Sequence, residues 1–268
     1  MMQQEIFHRL WKEYTKQNPS AQAIHDLFTK EGEQVINDHV AFRTFDDPRM
    51  NIQVLAKKFI KAGYEFKGEY VFEDKHLNAV HLEHPSEENA PRVFISELIL
   101  SKFSEEFQKT IKRRLNSVGN AYYADPDLIH KGSVWGKPSY ADYQSLRNES
   151  EYAAWLYVHG FRVNHFTVSI NALQKYNSIE KVNQFIKDND FEMNTSGGEI
   201  KGTPEKLLQQ SSTLSEIIKV EFEEGVYEIP ACFYEFAIRY PDENGQLFSS
   251  FIAANANKIF DSSNFREK

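Results

Sequence analysis

The sequence predicts an α+β fold: paired βαβββ units, with added helices. Three observations carry that expectation. The strand-like run Asp38-His39-Val40-Ala41-Phe42-Arg43-Thr44-Phe45 is answered by Asn164-His165-Phe166-Thr167-Val168-Ser169-Ile170. Phe59-Ile60-Lys61 begins 20 residues after His39, and Phe185-Ile186-Lys187 begins 20 residues after His165. Each unit then closes on a strand that carries a glutamate, Glu97 within residues 93–98 and Glu235 within residues 233–238. Histidine, helix and strand repeating in one register point to an internal duplication.

The elements follow in order, organised as one domain over residues 1–268. Residues 1–36 are a helical lead-in: Ile6, Leu10, Trp11 and Tyr14 recur at helical spacing, Asn18-Pro19-Ser20 interrupts, and a second helix covers 21–30. The first unit, 37–102, opens on a strand with His39, Ala41, Arg43 and Phe45 on one side. Asp47-Pro48 reads as the cap and first position of a helix over 49–62, stopped by Gly63. Strands over 65–73, 77–83 and 92–100 complete the unit. A helical insert, 103–160, contains a long turn at Tyr123-Ala124-Asp125-Pro126-Asp127. The second unit and a C-terminal closure fill 161–268, with Asn177 and Glu180 as the capping pair of a helix over 178–189. Gly197-Gly198 has neither the lysine nor the spacing of a phosphate-binding loop and reads as a turn; Thr203-Pro204-Glu205 starts a short helix.

Composition narrows the function. Apolar residues at 41% and charged residues at 26% describe a globular chain able to bury a core. A net charge of −8 and a pI near 5.6 argue against nucleic acid as a partner. The single cysteine, Cys232, rules out an intramolecular disulfide and multi-cysteine zinc patterns, and suits a reducing compartment. No stretch has the apolar length of a secretory signal or a membrane span, so the expected location is cytoplasmic, with no membrane partner.

Two histidines at equivalent places, with a carboxylate on a paired strand, match a facial triad. Such a site holds a divalent iron, Fe(2+), through two imidazoles and one carboxylate and leaves three positions open; manganese, nickel and zinc accept similar ligands. His39, His165 and Glu235 are the candidate ligands. Glu235 lies among Cys232, Phe233, Tyr234 and Phe236, where a buried carboxylate needs a cation or hydrogen bonds to offset its desolvation. Glu97, its counterpart in the first unit, is a candidate fourth ligand or acceptor behind the ligands. Arg43, on the side of the strand that carries His39, offers a planar guanidinium suited to a substrate carboxylate.

The strings Asp38-His39-Val40-Ala41-Phe42-Arg43-Thr44-Phe45, Asn164-His165-Phe166-Thr167 and Phe233-Tyr234-Glu235 together resemble the 2-oxoadipate dioxygenase/decarboxylase family. The resemblance spans roughly residues 37–260. That family is similar to the vicinal oxygen chelate superfamily, which includes hydroxymandelate synthase, and the resemblance implies a vicinal oxygen chelate-like fold, its paired βαβββ units forming a curved mixed sheet around a metal site. The resemblance implies iron(II) held by His39, His165 and Glu235, with Arg43 binding the carboxylate of a 2-oxo acid. It further implies conversion of 2-oxoadipate and dioxygen to 2-hydroxyglutarate and carbon dioxide, a step of lysine degradation. Better-known members are longer and place further substrate contacts in a C-terminal portion, which leaves Tyr234, Arg239 and Ser249 as candidates for the substrate's distal end. Two other readings stay open on the residues alone: a glyoxalase-type metal-dependent lyase or isomerase that engages Glu97 as a ligand, and a non-enzymatic small-molecule-binding protein of the same fold.

Overall fold

The protein's structure, a computed structural model, describes residues 2–87 and 89–263. Helices α1 (Met2–Thr15) and α2 (Pro19–Lys30) form the lead-in, with Pro19 in the first turn of α2 where its missing N–H costs nothing. The first unit is β1 (Asn37–Phe45), α3 (Ile52–Lys61), β2 (Glu65–Phe72), β3 (Leu77–Glu83) and β4 (Arg92–Leu98). Four helices make the insert: α4 (Glu105–Leu115), α5 (Asn120–Tyr123), α6 (Tyr140–Glu149) and α7 (Glu151–His159). The second unit is β5 (Val163–Ser169), α8 (Ile179–Asp188), β6 (Lys201–Thr203), β7 (Leu208–Ser212), the hairpin β8 (Ile217–Phe222) and β9 (Gly225–Pro230), and β10 (Phe233–Arg239). Helix α9 (Ala253–Phe260) follows. Among the described residues no helix is long and apolar enough to cross a membrane.

One sheet takes eight strands in the order β2-β3-β4-β1-β5-β10-β7-β6. Its two halves mirror the duplication. Strand β1 pairs parallel with β4, β5 pairs parallel with β10, and β1 and β5 join the halves antiparallel. The β8–β9 hairpin stands outside this sheet and interrupts the second unit before its last strand.

Both faces of the central strands are covered, so β1, β5 and β10 are buried almost throughout rather than alternating. On one face Val40, Phe166 and Tyr234 lie side by side in register under the lead-in helices. Trp11 sits edge-on to Phe166 with ring centres 5.1 Å apart, and the Tyr14 hydroxyl donates to the Phe233 carbonyl. The other face carries His39, Ala41 and Arg43 from β1, with His165, Thr167 and Glu235 beside them in register. It is covered by Phe251, by α9 and by the turn that follows it.

Local signals differ from the sequence reading at three places. Helix α3 starts at Ile52, not Arg49: the Asn51 side chain caps it by accepting from the Val54 N–H, while Asp47 binds the guanidinium and N–H of Arg49. Helix α8 is capped by Ser178, which accepts from the Lys181 N–H, whereas Asn177 accepts from the Lys181 ammonium. The hairpin was not foreseen, although its residues alternate between exposed and half-buried positions along β8 as a two-sided ribbon should.

Phe166 is fully buried between Trp11 and Tyr14, so Phe166→Ala should cost about 3–5 kcal/mol through lost burial and an uncollapsed cavity. Urea unfolding measures this; a loss below about 1 kcal/mol would mean that the lead-in helices are not seated on the sheet as described.

Candidate metal centre

The register of three strands explains why distant residues meet. His39, Thr167, Glu235 and Ser212 form one row across β1, β5, β10 and β7, and Ala41, His165 and Phe233 form the next. His39 and Glu235 therefore lean toward each other over Thr167, and His165 rises from the adjoining row. One ligand atom from each of His39, His165 and Glu235 lies within 4.8 Å of the other two. The three residues are 2%, 5% and 0% exposed, so no solvent compensates the carboxylate.

Both histidines are preceded by a β-bulge. Between β1 and β5 the pairing skips Asp38 on one strand and Asn164 on the other. Neighbouring side chains on a regular strand point to opposite faces, and the extra residue relaxes that rule. Asp38 Oδ1 consequently lies 2.7 Å from His39 Nδ1, and Asn164 Oδ1 lies 3.0 Å from His165 Nδ1. Each oxygen accepts, so each imidazole carries its proton on Nδ1 and turns a lone pair at Nε2 toward Glu235.

These lone pairs lack sufficient donors. His165 Nε2 stands 3.2 Å from Glu235 Oε2, an oxygen that is buried and has no hydrogen-bond partner. His39 Nε2 is 3.5 Å from Glu235 Oε1 and 3.1 Å from the Thr167 hydroxyl. Gln210 donates to Oε1 at 2.7 Å, leaving Oε2 for another partner. Burial raises the Glu235 carboxyl above its usual range, although His39 and Gln210 act against it. Burial, with His39 and Arg43 nearby, holds His165 well below its ordinary value. Two imidazole nitrogens and one carboxylate oxygen converging in a buried space fit a divalent ion with no thiolate ligand.

Glu97 does not join this group. Glu235 is opposite Thr167, two residues beyond His165, whereas Glu97 is opposite Thr44, five beyond His39. The position in register with Glu235 belongs to Phe94, opposite Ala41. Glu97 instead accepts from the Ile52 N–H at 2.9 Å, at the start of α3. The shared glutamate-bearing strand was real, but its register differs between the units.

Arg43 is buried on the ligand side of β1, its guanidinium 5.0 Å from the Tyr152 ring centre, 5.1 Å from Trp155 and 5.7 Å from Phe260. It donates to Ser263 Oγ at 2.7 Å, while its Nε has no partner. Burial lowers it to about 10. A cleft of about 410 Å³ reaches Arg43 from outside, between Lys75, Lys102, Glu149, Tyr152 and Phe260. Another of about 440 Å³ lies between α1, α3 and residues 123–130 and shares no residue with the triad.

The three candidates for the substrate's distal end are placed elsewhere. Tyr234 faces the lead-in helices, 5.7 Å from Trp11, and Ser249 is exposed. Arg239 gives its donors to Asp38 and to the Phe248 and Ser250 carbonyls. Sequence reasoning missed Asp38, Asn164 and Gln210; the signal for the first two was the acidic or amide residue directly before each histidine.

The sequence profile of the 2-oxoadipate dioxygenase/decarboxylase family matches residues 6–245. A curated 2-oxoadipate dioxygenase/decarboxylase from Oryza sativa is 35% identical, over 96% of this chain and 77% of its own length. The structure of the Oryza sativa hydroxyglutarate synthase in complex with 2-oxoadipate superposes with a TM-score of 0.91 at 34% identity, covering 97% of this chain and 91% of that one. A Shewanella frigidimarina structure bearing a provisional label as a hydrolase is similar at 49% identity and a TM-score of 0.89, covering 94% and 98%. The fold is the vicinal oxygen chelate-like one that the family resemblance implies, and its two halves repeat the duplicated order of strand, helix and strands.

Divalent metal should raise the Tm of the wild type, and His165→Ala or Glu235→Gln should remove most of that rise. The pH dependence has a defined sign. Without metal, the raised Glu235 carboxyl makes the fold lose stability as pH rises through its value, and the depressed His165 makes it lose stability as pH falls below the ordinary histidine range. Metal needs Glu235 ionised, so the metal-induced rise in Tm should be full at neutral pH and shrink as pH falls through the Glu235 value. Thermal scans with and without metal across pH 5–8 check this; a rise that grows on acidification would contradict it.

Proposed function

The chain belongs to the 2-oxoadipate dioxygenase/decarboxylase family, and on that premise we propose that it is an iron(II)-dependent enzyme converting 2-oxoadipate and dioxygen to 2-hydroxyglutarate and carbon dioxide. The observation that carries the metal reading is the meeting of His165 Nε2 and the partnerless Glu235 Oε2 at 3.2 Å, two acceptors with no donor between them. Iron(II) held by His39, His165 and Glu235 would supply open positions on one side, where a 2-oxo acid and dioxygen can meet.

The chain's own residues do the positioning. Asp38 and Asn164 fix both imidazoles with Nε2 inward, and Gln210 turns Glu235 so that Oε2 faces the ion. Arg43, with a free Nε–H, receives a substrate carboxylate; Tyr152, Trp155 and Phe260 exclude water around it and strengthen that contact. Phe251, 4.8 Å from the His39 ring and 5.0 Å from Phe94, walls the site on the first unit's side. Atoms balance: the bond between the substrate's carboxylate carbon and its keto carbon breaks, carbon dioxide leaves, and the two atoms of dioxygen end in the new carboxylate and the new hydroxyl.

A lyase of the glyoxalase type would use Glu97 as a fourth ligand. The hydrogen bond from Ile52 to Glu97 and the phenyl ring of Phe94 at the matching position favour the three-ligand reading.

Anaerobically iron-loaded protein given 2-oxoadipate should consume dioxygen and release carbon dioxide in equal amounts, and shorter 2-oxo acids should be slower. An oxygen electrode with carbon dioxide detection reads this; no uptake with any 2-oxo acid despite bound iron would sink the proposal. Arg43→Met should raise KM on the order of ten- to a hundredfold, the loss of a charged hydrogen bond, with metal affinity unchanged. An equal loss of metal would show that Arg43 serves the fold rather than the substrate.

A further inference from the structure

The two histidines are held alike but not equally. Asn164 is a neutral amide, whereas Asp38 is a buried carboxylate at the centre of a charged network. Arg239 Nε donates to Asp38 Oδ2 at 2.6 Å and its Nη2 to Oδ1 at 2.9 Å, a two-pronged grip; Arg92 lies 3.7 Å from Oδ2. Burial would raise Asp38, but Arg239 and His39 more than reverse it and hold the group well below the usual carboxylate range.

The same arginine has a second task. Its Nη1 donates to the carbonyls of Phe248 at 2.9 Å and Ser250 at 2.7 Å, the start of the segment that covers the ligand face. Tyr70, on β2, fastens the next residues: its hydroxyl is 2.7 Å from Ser250 Oγ and accepts from the Phe251 N–H at 3.0 Å. Phe251 then places its ring edge-on to His39.

We infer that Asp38 and Arg239 are positioning residues that couple docking of the 248–263 segment to the orientation of His39. When the segment is docked, Arg239 is fixed from both ends, and Asp38 holds the His39 proton on Nδ1 with Nε2 inward. When the segment lifts, Arg239 loses two acceptors, and the grip on Asp38 and hence on His39 loosens. His165 has no such link, because Asn164 makes no bond to the segment among the described contacts. The coupling must be reciprocal: metal on His39 stabilises the docked segment by the same factor by which the docked segment tightens metal binding. This inference rests on the metal reading proposed above.

The test measures anaerobic iron(II) affinity by chelator competition, and hydrogen exchange of amides 248–263 with and without iron(II). In the wild type, iron(II) should slow exchange in that segment. Asp38→Asn should weaken iron(II) binding about 10- to 100-fold and abolish the slowing. Tyr70→Phe, which touches no ligand and serves as the milder variant if Asp38→Asn folds poorly, should weaken binding about three- to tenfold by loosening the segment alone. Tight wild-type binding with both variants within about twofold, or with exchange indifferent to iron(II), would overturn the coupling while leaving the metal site standing. A wild type that takes up no iron(II) would instead overturn the metal reading, and the coupling with it.

Discussion

Two β-bulges, at Asp38 and Asn164, are the constraint on which the site depends. The antiparallel junction of β1 and β5 joins the two units, and each strand spends one extra residue there, directly before its histidine. Without the bulges, Asp38 and Asn164 would point away from His39 and His165, and both imidazoles would be free to choose tautomer and rotamer. With them, the same local geometry is used twice, and two Nε2 lone pairs converge on a carboxylate from a third strand. The duplication places the site at the seam between units rather than inside either one.

Burial supplies the rest of the argument. A fully buried carboxylate facing an imidazole nitrogen with no proton to share is costly, and a cation is what removes the cost. The cover comes from the helical insert and the C-terminal segment: α7 brings Tyr152 and Trp155 to Arg43, and the C-terminal segment brings Phe251, Phe260 and Ser263. The second unit's half of the face is polar instead: Asn255 donates to Gln210 on β7, Gln210 donates to Glu235, and the hydroxyls of Ser262 and Ser212 bond to each other. The face thus offers one apolar wall, one polar wall and the buried guanidinium of Arg43.

Much of this was legible in the sequence because a duplication writes the same spacing twice. The order of elements within the units and the shared side of His39 and Arg43 on β1 followed from offsets and alternation, and the candidates His39, His165 and Glu235 do come together in the fold. Cap residues were harder, since Asp47, Asn51, Asn177 and Ser178 are all competent caps and only tertiary partners such as Glu97 select among them. Glu97 itself misled because a glutamate in the last strand of each unit says nothing about register, and a slip of three residues moves it from the site to the start of α3. The roles of Arg239 and the C-terminal segment were illegible for a simpler reason: contacts between residues 38 and 239, or 70 and 250, leave no local pattern.

The account stands or falls on one ion at one place. Crystals grown anaerobically with iron(II), with anomalous diffraction recorded on either side of the iron edge, test it most directly. A single strong peak per chain, about 2.0–2.3 Å from His39 Nε2, His165 Nε2 and Glu235 Oε2, is the result predicted. A peak elsewhere, or well-ordered density for a hydrogen-bonded Glu235 and His165 with no iron between them, would contradict it.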